Sequence, residues 1–122
     1  KIMVEAVRYK TTTESTTVSA TSGGASGNVL YTCPAVHTAT IDMLMVTNGN
    51  TSNQKITIEF YHADDTTYHN FIEAKSVSGN TALNVLGSAR MHLHAGDKIV
   101  VSKDGGTFDA TISVREFYNP NR

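Results

Sequence analysis

The sequence predicts an all-β protein: an antiparallel two-sheet β-sandwich, jelly-roll-like, with about eight strands. Three observations carry this prediction. Apolar and polar residues alternate with a period of two, as where Ile56, Ile58 and Phe60 interleave with Lys55, Thr57 and Glu59. Clusters of Gly, Asn, Asp and Ser interrupt these runs at short intervals. No stretch keeps the i, i+3, i+4, i+7 spacing of an amphipathic helix through a dozen residues.

Taken in order, residues 2 to 9 (IMVEAVRY) read as a first strand. Residues 11 to 28 hold 13 Thr, Ser or Gly in 18 positions and read as a loop or a weak polar strand around Val18, with a mobile arm as the rival reading. Residues 1–28 are therefore expected as an N-terminal strand with a Thr/Ser/Gly-rich arm or loop, and residues 29–122 as the sandwich domain. Short β-runs follow at 29–32, 38–47, 55–62, 67–73, 82–86, 90–93 and 98–102, with a final run from Thr107. Asn48-Gly49 and Asp104-Gly105 are strong hairpin signals, because both central residues of a type I′ turn need positive φ. Pro34, with a fixed φ and no N–H, ends the run at 29–32 and makes a corner.

Alternation assigns Ile41, Met43, Met45, Ile56, Ile58, Phe60, Leu83, Val85, Met91, Leu93, Ile99, Val101, Ile112 and Val114 to the core. Each contributes roughly 1.5–3 kcal/mol when fully buried. The run 38–47 breaks the rule, since Leu44 and Val46 fall on its outer face. A strand apolar on both sides is covered by another layer or pressed against a partner chain, unless a local bulge rotates the pattern.

Composition narrows the partners. The 122 residues suit one domain of ordinary size, and only 17% are charged, with a net charge of −1. Clustered Lys and Arg are missing, so no nucleic-acid partner is expected. No apolar run approaches the roughly 20 residues that span a bilayer, and no membrane partner is expected. One cysteine, Cys33, excludes an internal disulfide and suits synthesis in a reducing cytoplasm.

The residue types that could carry chemistry point elsewhere on inspection. Cys33 and His37 lie four apart across the proline, with no helix N-terminus to stabilise a thiolate, so Cys33 reads as a small apolar packing residue. His92 and His94 form an H-x-H pair, but no Glu follows in the window where a metal site would place its carboxylate. "HADDTTYH" places His62, Asp64, Asp65 and His69 around one hairpin without matching an ion-binding motif. No catalytic residue, cofactor or metal site is expected, and the chain does not read as an enzyme. Tyr61, Tyr68 and Tyr118 are the aromatic residues available to a shallow sugar site.

The order VLYTCPA, HTATIDMLMVTNGN, KITIEFY, YHNF and LHAGDKIVVSKDGGTFDATISVREF resembles a recurrent type of small phage virion protein, over about residues 29 to 117. Leu30, Tyr31, Thr32, Pro34 and Ala35 match its first element; Val46, Thr47 and Asn48 its second; Ala95, Gly96 and Asp97 its third. Cys33 stands where an apolar residue is expected. The resemblance implies a β-sandwich that builds virus particles and names no catalytic residue. The expected function is a capsid decoration or cement protein of a bacteriophage virion, made in the host cytoplasm. It would act as a homo-oligomer, with a trimer favoured, on the phage major capsid protein. A tail or neck protein, or a receptor- or carbohydrate-binding module, is the alternative. Expected interface residues are Met3, Val7, Tyr9, Leu44, Val46, His92 and His94.

Overall fold

The computed structural model describes residues 9–119, so Met3, Val7 and most of the first expected strand lie outside the described residues. The strands are β1 (Tyr9–Val18), β2 (Asn28–Thr32), β3 (His37–Asn48), β4 (Gln54–His62), β5 (Thr67–Val77), β6 (Ala82–Asn84), β7 (Met91–His94), β8 (Lys98–Lys103) and β9 (Phe108–Tyr118). They form two antiparallel sheets: five strands in the order β1-β9-β3-β6 with β7 also on β3, and four in the order β2-β8-β4-β5.

The pairing is that of one long hairpin folded over on itself. β4 pairs with β5 at its tip, β3 with β6 and β7, β2 with β8, and β1 with β9 at its base. Rolling that hairpin up brings β3 beside β9 and β4 beside β8, which closes two sheets face to face. This is a jelly roll whose sixth strand is split in two around Gly87, a residue at φ 62°. The Thr-rich stretch divides at Val18: up to there it is strand, in unbroken register with β9 from Tyr9–Phe117 to Val18–Phe108, and residues 19–27 are loop.

The core lies between the sheets. Ile41, Ile56, Ile58, Leu93, Ile99, Val101, Ile112 and Val114 are buried as alternation requires, together with Val18, Leu30 and Phe108. Phe60, Leu83, Val85 and Met91 pack against this cluster from its margins. Val100 points away from it and is nevertheless buried. The loop 19–27 lies over that outer side, because Gly27 leaves no room for a Cβ against Val100 Cγ1 and Gly24 N–H donates to Glu59 Oε1 at 2.7 Å.

The corners depend on two buried polar side chains. Asp97 is buried, and its carboxylate accepts from the N–H of Ala63 and of His94, each at 2.9 Å. Its carbonyl takes the Cys33 N–H at 2.9 Å, and the Cys33 carbonyl takes the Gly96 N–H at 2.9 Å. One residue thereby joins the β4–β5 hairpin, the β7–β8 turn and the corner after Pro34.

At the other end, Asn48 is fully buried. Its Nδ2 donates to the carbonyls of Ser52 (3.0 Å) and Val77 (2.9 Å), while its Oδ1 accepts from Asn50 N–H at 2.9 Å. This corrects the hairpin reading of Asn48-Gly49. Gly49 is not among the described residues with positive φ, and β3 and β4 belong to different sheets. The same holds for Asp104-Gly105, which leads from β8 in one sheet to β9 in the other. In both places the chain crosses between layers instead of turning within one.

Replacing Asp97 by Ala leaves two N–H groups without their acceptor, at about 1–3 kcal/mol for each that stays dry. Urea unfolding of Asp97→Ala is expected to lose about 2–5 kcal/mol, and Asp97→Asn, which keeps one acceptor oxygen, clearly less.

Candidate docking surface

The outer face of the five-stranded sheet is shaped by one irregularity in β3. Ile41 pairs with Val114 and Met43 with Ser113, so Asp42 is an extra residue with no place in the ladder. An extra residue shifts the two-residue period by one. Before it, Ala39 and Ile41 face the core; after it, Leu44, Val46 and Asn48 do, and all three are 0% exposed. The expectation that Leu44 and Val46 form an outward interface is therefore corrected. Both are core residues, turned inward by the bulge. Met43 and Met45, expected in the core, are only partly buried and lie on the outer side with Thr47.

The face so produced carries little free charge. Asp42 accepts from Arg115 Nε at 2.8 Å, Arg115 Nη2 at 3.0 Å and Arg90 Nε at 2.9 Å. The bonds from Arg115, then those from Arg90, hold its carboxyl below the usual carboxylate range. On β1 and β9 the outward hydroxyls bond across the strands: Thr13 to Ser113 at 3.3 Å and Ser15 to Thr111 at 3.0 Å. Thr17 Oγ1 donates to Asp109 Oδ1 at 3.0 Å. Tyr9, 48% exposed, stacks on Phe117 with ring centroids 5.4 Å apart. Of the expected histidines, His92 shares a 3.0 Å hydrogen bond with Thr40 Oγ1, and both His92 and His94 are exposed beside it. A surface whose hydroxyls and ions already hold one another loses less on drying than one whose partners are water.

The remaining candidate groups lie at the ends and on the other sheet. Cys33 is buried, and burial, with the Glu116 and Asp97 charges behind it, pushes its thiol up to about 11. Its Sγ lies 3.5 Å from the His37 carbonyl, while the His37 ring bonds the Ala35 carbonyl at 2.8 Å. The thiol is thus protonated at neutral pH and has no imidazole on it. Nearby, Tyr31 OH donates to the buried Glu116 carboxylate; burial first, and that bond second, raise the phenol's pKa.

The hairpin histidines part company: His62 Nδ1 sits 3.5 Å from Asp97 Oδ1, whereas His69 Nε2 is 3.3 Å from Asp65 Oδ2. Among the described residues no three of His, Cys, Asp and Glu gather as metal ligands would. Tyr61 and Tyr68 meet across β4 and β5 with centroids 4.7 Å apart; Tyr118 packs on His37 instead. A polar cleft of about 350 Å³ opens on the four-stranded sheet, lined by Lys55, Thr57, Glu59, Asn70 and Glu73 among others.

No protein-family model matches the sequence, and no curated protein is significantly similar to it. Solved structures are. A protein of Bacillus endospore appendages, described as a novel family of disulfide-linked pili, is 13% identical over 91% of this chain and 88% of that one, with a TM-score of 0.50. The VP2 subviral particle protein of infectious bursal disease virus is 14% identical over 100% of this chain and 38% of that one, with a TM-score of 0.45. A chain of the Gx strain of that virus gives 13% identity, 94% and 33% coverage and a TM-score of 0.45. At these identities the pilus protein shows a shared fold, and the chain spans about a third of the viral proteins.

The Asp42 cluster has a pH signature. Because its folded carboxyl titrates below its unfolded one, its contribution is complete above the ordinary carboxylate range and is lost as pH falls below it. The stability gap between Asp42→Asn and the parent, read from urea midpoints, is expected to be full at pH 7 and to close as the pH drops below about 4.

Proposed function

We propose that this chain is a structural subunit of an assembled particle, and specifically a decoration or cement protein of a bacteriophage capsid. The observation that carries this reading is the outer face of the five-stranded sheet. Hydroxyls along β1 and β9 are paired, Arg115 and Arg90 are gathered on Asp42, and among the described residues Asp109 is held by Thr17 alone. Such a face can press on neighbouring coat subunits at a smaller cost in lost hydration than one whose polar groups are held by water alone. Tyr9, Met43 and Met45 supply apolar contact there, with His92 and His94 at its β7 side.

Clamping is the mechanism. One oligomer that touches several coat subunits makes its second and later attachments intramolecularly, so modest contacts add up. The pilus protein of like fold supports a role as an assembly subunit. Covalent linkage of the kind described there has no basis in this sequence, because Cys33 is its one cysteine and is buried. The subunits would hold each other by non-covalent contact, and the chain would act without catalysis.

A second reading, a carbohydrate-binding module of a tail or neck, draws on the opposite sheet, where the polar cleft and the Tyr61–Tyr68 pair lie. The two readings use different faces, and substitutions separate them. Thr111→Lys combined with Ser113→Lys places charge on β9, between β1 and β3, within the proposed docking face. Co-sedimentation with phage shells stripped of this protein should fall at least about tenfold for the double variant, while circular dichroism and thermal midpoint stay close to the parent. Undiminished shell binding, or glycan binding unaffected by the pair, would favour the opposite face.

A further inference from the structure

The four sheet edges differ in a way that singles out one of them. β6 and β7 are three and four residues long, and β2 is five with a register shift. β5 is long but is broken by register shifts against β4 and by Ala74 at φ 51°. Shortness and bulges keep an edge from recruiting another strand whatever its sequence, whereas charges exclude only strands that do not match them. β1 is neither short nor bulged. It runs for ten residues in unbroken register with β9, contains no proline, and among the described residues pairs with β9 alone. Its outward main-chain groups form a template for a further strand.

The charges on β1 say which strand. Lys10 and Glu14 are its only charged residues, are four apart, and both are exposed on the same side of the strand. Centred midway between them is Thr12. We propose that β1 pairs antiparallel with β1 of a second copy across a two-fold axis at Thr12.

In that register Lys10 lies opposite Glu14 of the second copy, and Glu14 opposite its Lys10. Thr11 meets Thr13, and Tyr9 meets Ser15. Every side-chain contact is made twice except that of Thr12 with its own copy on the axis, as an isologous interface requires. Moving the axis to Glu14 would set the two carboxylates against each other. Moving it to Thr13 would leave both charges facing threonine. The charge pairs therefore specify the register, while the main-chain hydrogen bonds of the edge supply the affinity. The result is one continuous sheet running through both copies, with the hydroxyl-paired outer faces side by side. The contact is two-fold, so it yields a dimer. A trimer would need a different surface.

The experiment is sedimentation velocity on the 122-residue chain at low ionic strength, over micromolar to millimolar concentration. The parent should show a concentration-dependent dimer. Lys10→Glu and Glu14→Lys each turn two attractive cross-strand pairs into repulsive ones and should each weaken the dimer roughly tenfold. The double variant restores opposite charges and should return to within about threefold of the parent. Lys10 also lies opposite Glu116 of its own chain, so Lys10→Gln is compared with Lys10→Glu, and an unchanged thermal midpoint shows that a weaker dimer does not come from a weaker β1–β9 pairing. A strict monomer, a dimer indifferent to the single substitutions, or failure of the double variant to recover would each overturn the proposal.

Discussion

The single extra residue in β3 decides what this protein presents to its surroundings. Without the bulge at Asp42, strict alternation would send Met43 and Met45 inward and put Leu44 and Val46 outside. With it, the branched aliphatics enter the core, the unbranched methionines take the outer side, and a carboxylate is left where Arg115 and Arg90 reach it. The core gains side chains with few rotamers to lose, and the surface keeps adaptable ones. The ion cluster neutralises in place the charge that the bulge brings to the face. Packing and surface chemistry thus follow from one irregularity.

The jelly-roll frame makes that irregularity effective. β3 is held along its length by β9 on one side and by β6 and β7 on the other, so a shift within it cannot relax by sliding the strand. The two ends are closed by polar side chains that satisfy main-chain groups from several loops, Asp97 at one and Asn48 at the other. Buried polar groups of this kind specify one arrangement of the corners, because any other leaves them without partners.

Much of the fold was legible in the sequence. Period-two alternation placed β3, β4, β8 and β9 to within a residue or two, since each has one face on the core. β1 was harder to read because an edge strand need not bury a full face: four of its outward residues are Thr or Ser, and only Val18 at its end is buried. The turn chemistry of Asn48 misled for a related reason. Asparagine favours tight turns through the same amide that here binds the carbonyls of distant loops, and sequence does not say which use it is put to. The bulge did leave a trace. Apolar residues switch from odd to even positions around Asp42, the one charged residue of that strand. A parity switch reads equally as a strand apolar on both sides, and that ambiguity led Leu44 and Val46 to be placed outside.

The outer face of the five-stranded sheet and the long β1 edge lie side by side in one sheet. The character of that face depends on where the side chains of β3 point. Thiol labelling measures this directly, with buried Cys33 as the silent reference. Met43→Cys and Met45→Cys are expected to react rapidly with a maleimide in the native protein, whereas Leu44→Cys and Val46→Cys are protected until it unfolds. Rapid labelling at positions 44 and 46, with protection at 43 and 45, would contradict the account.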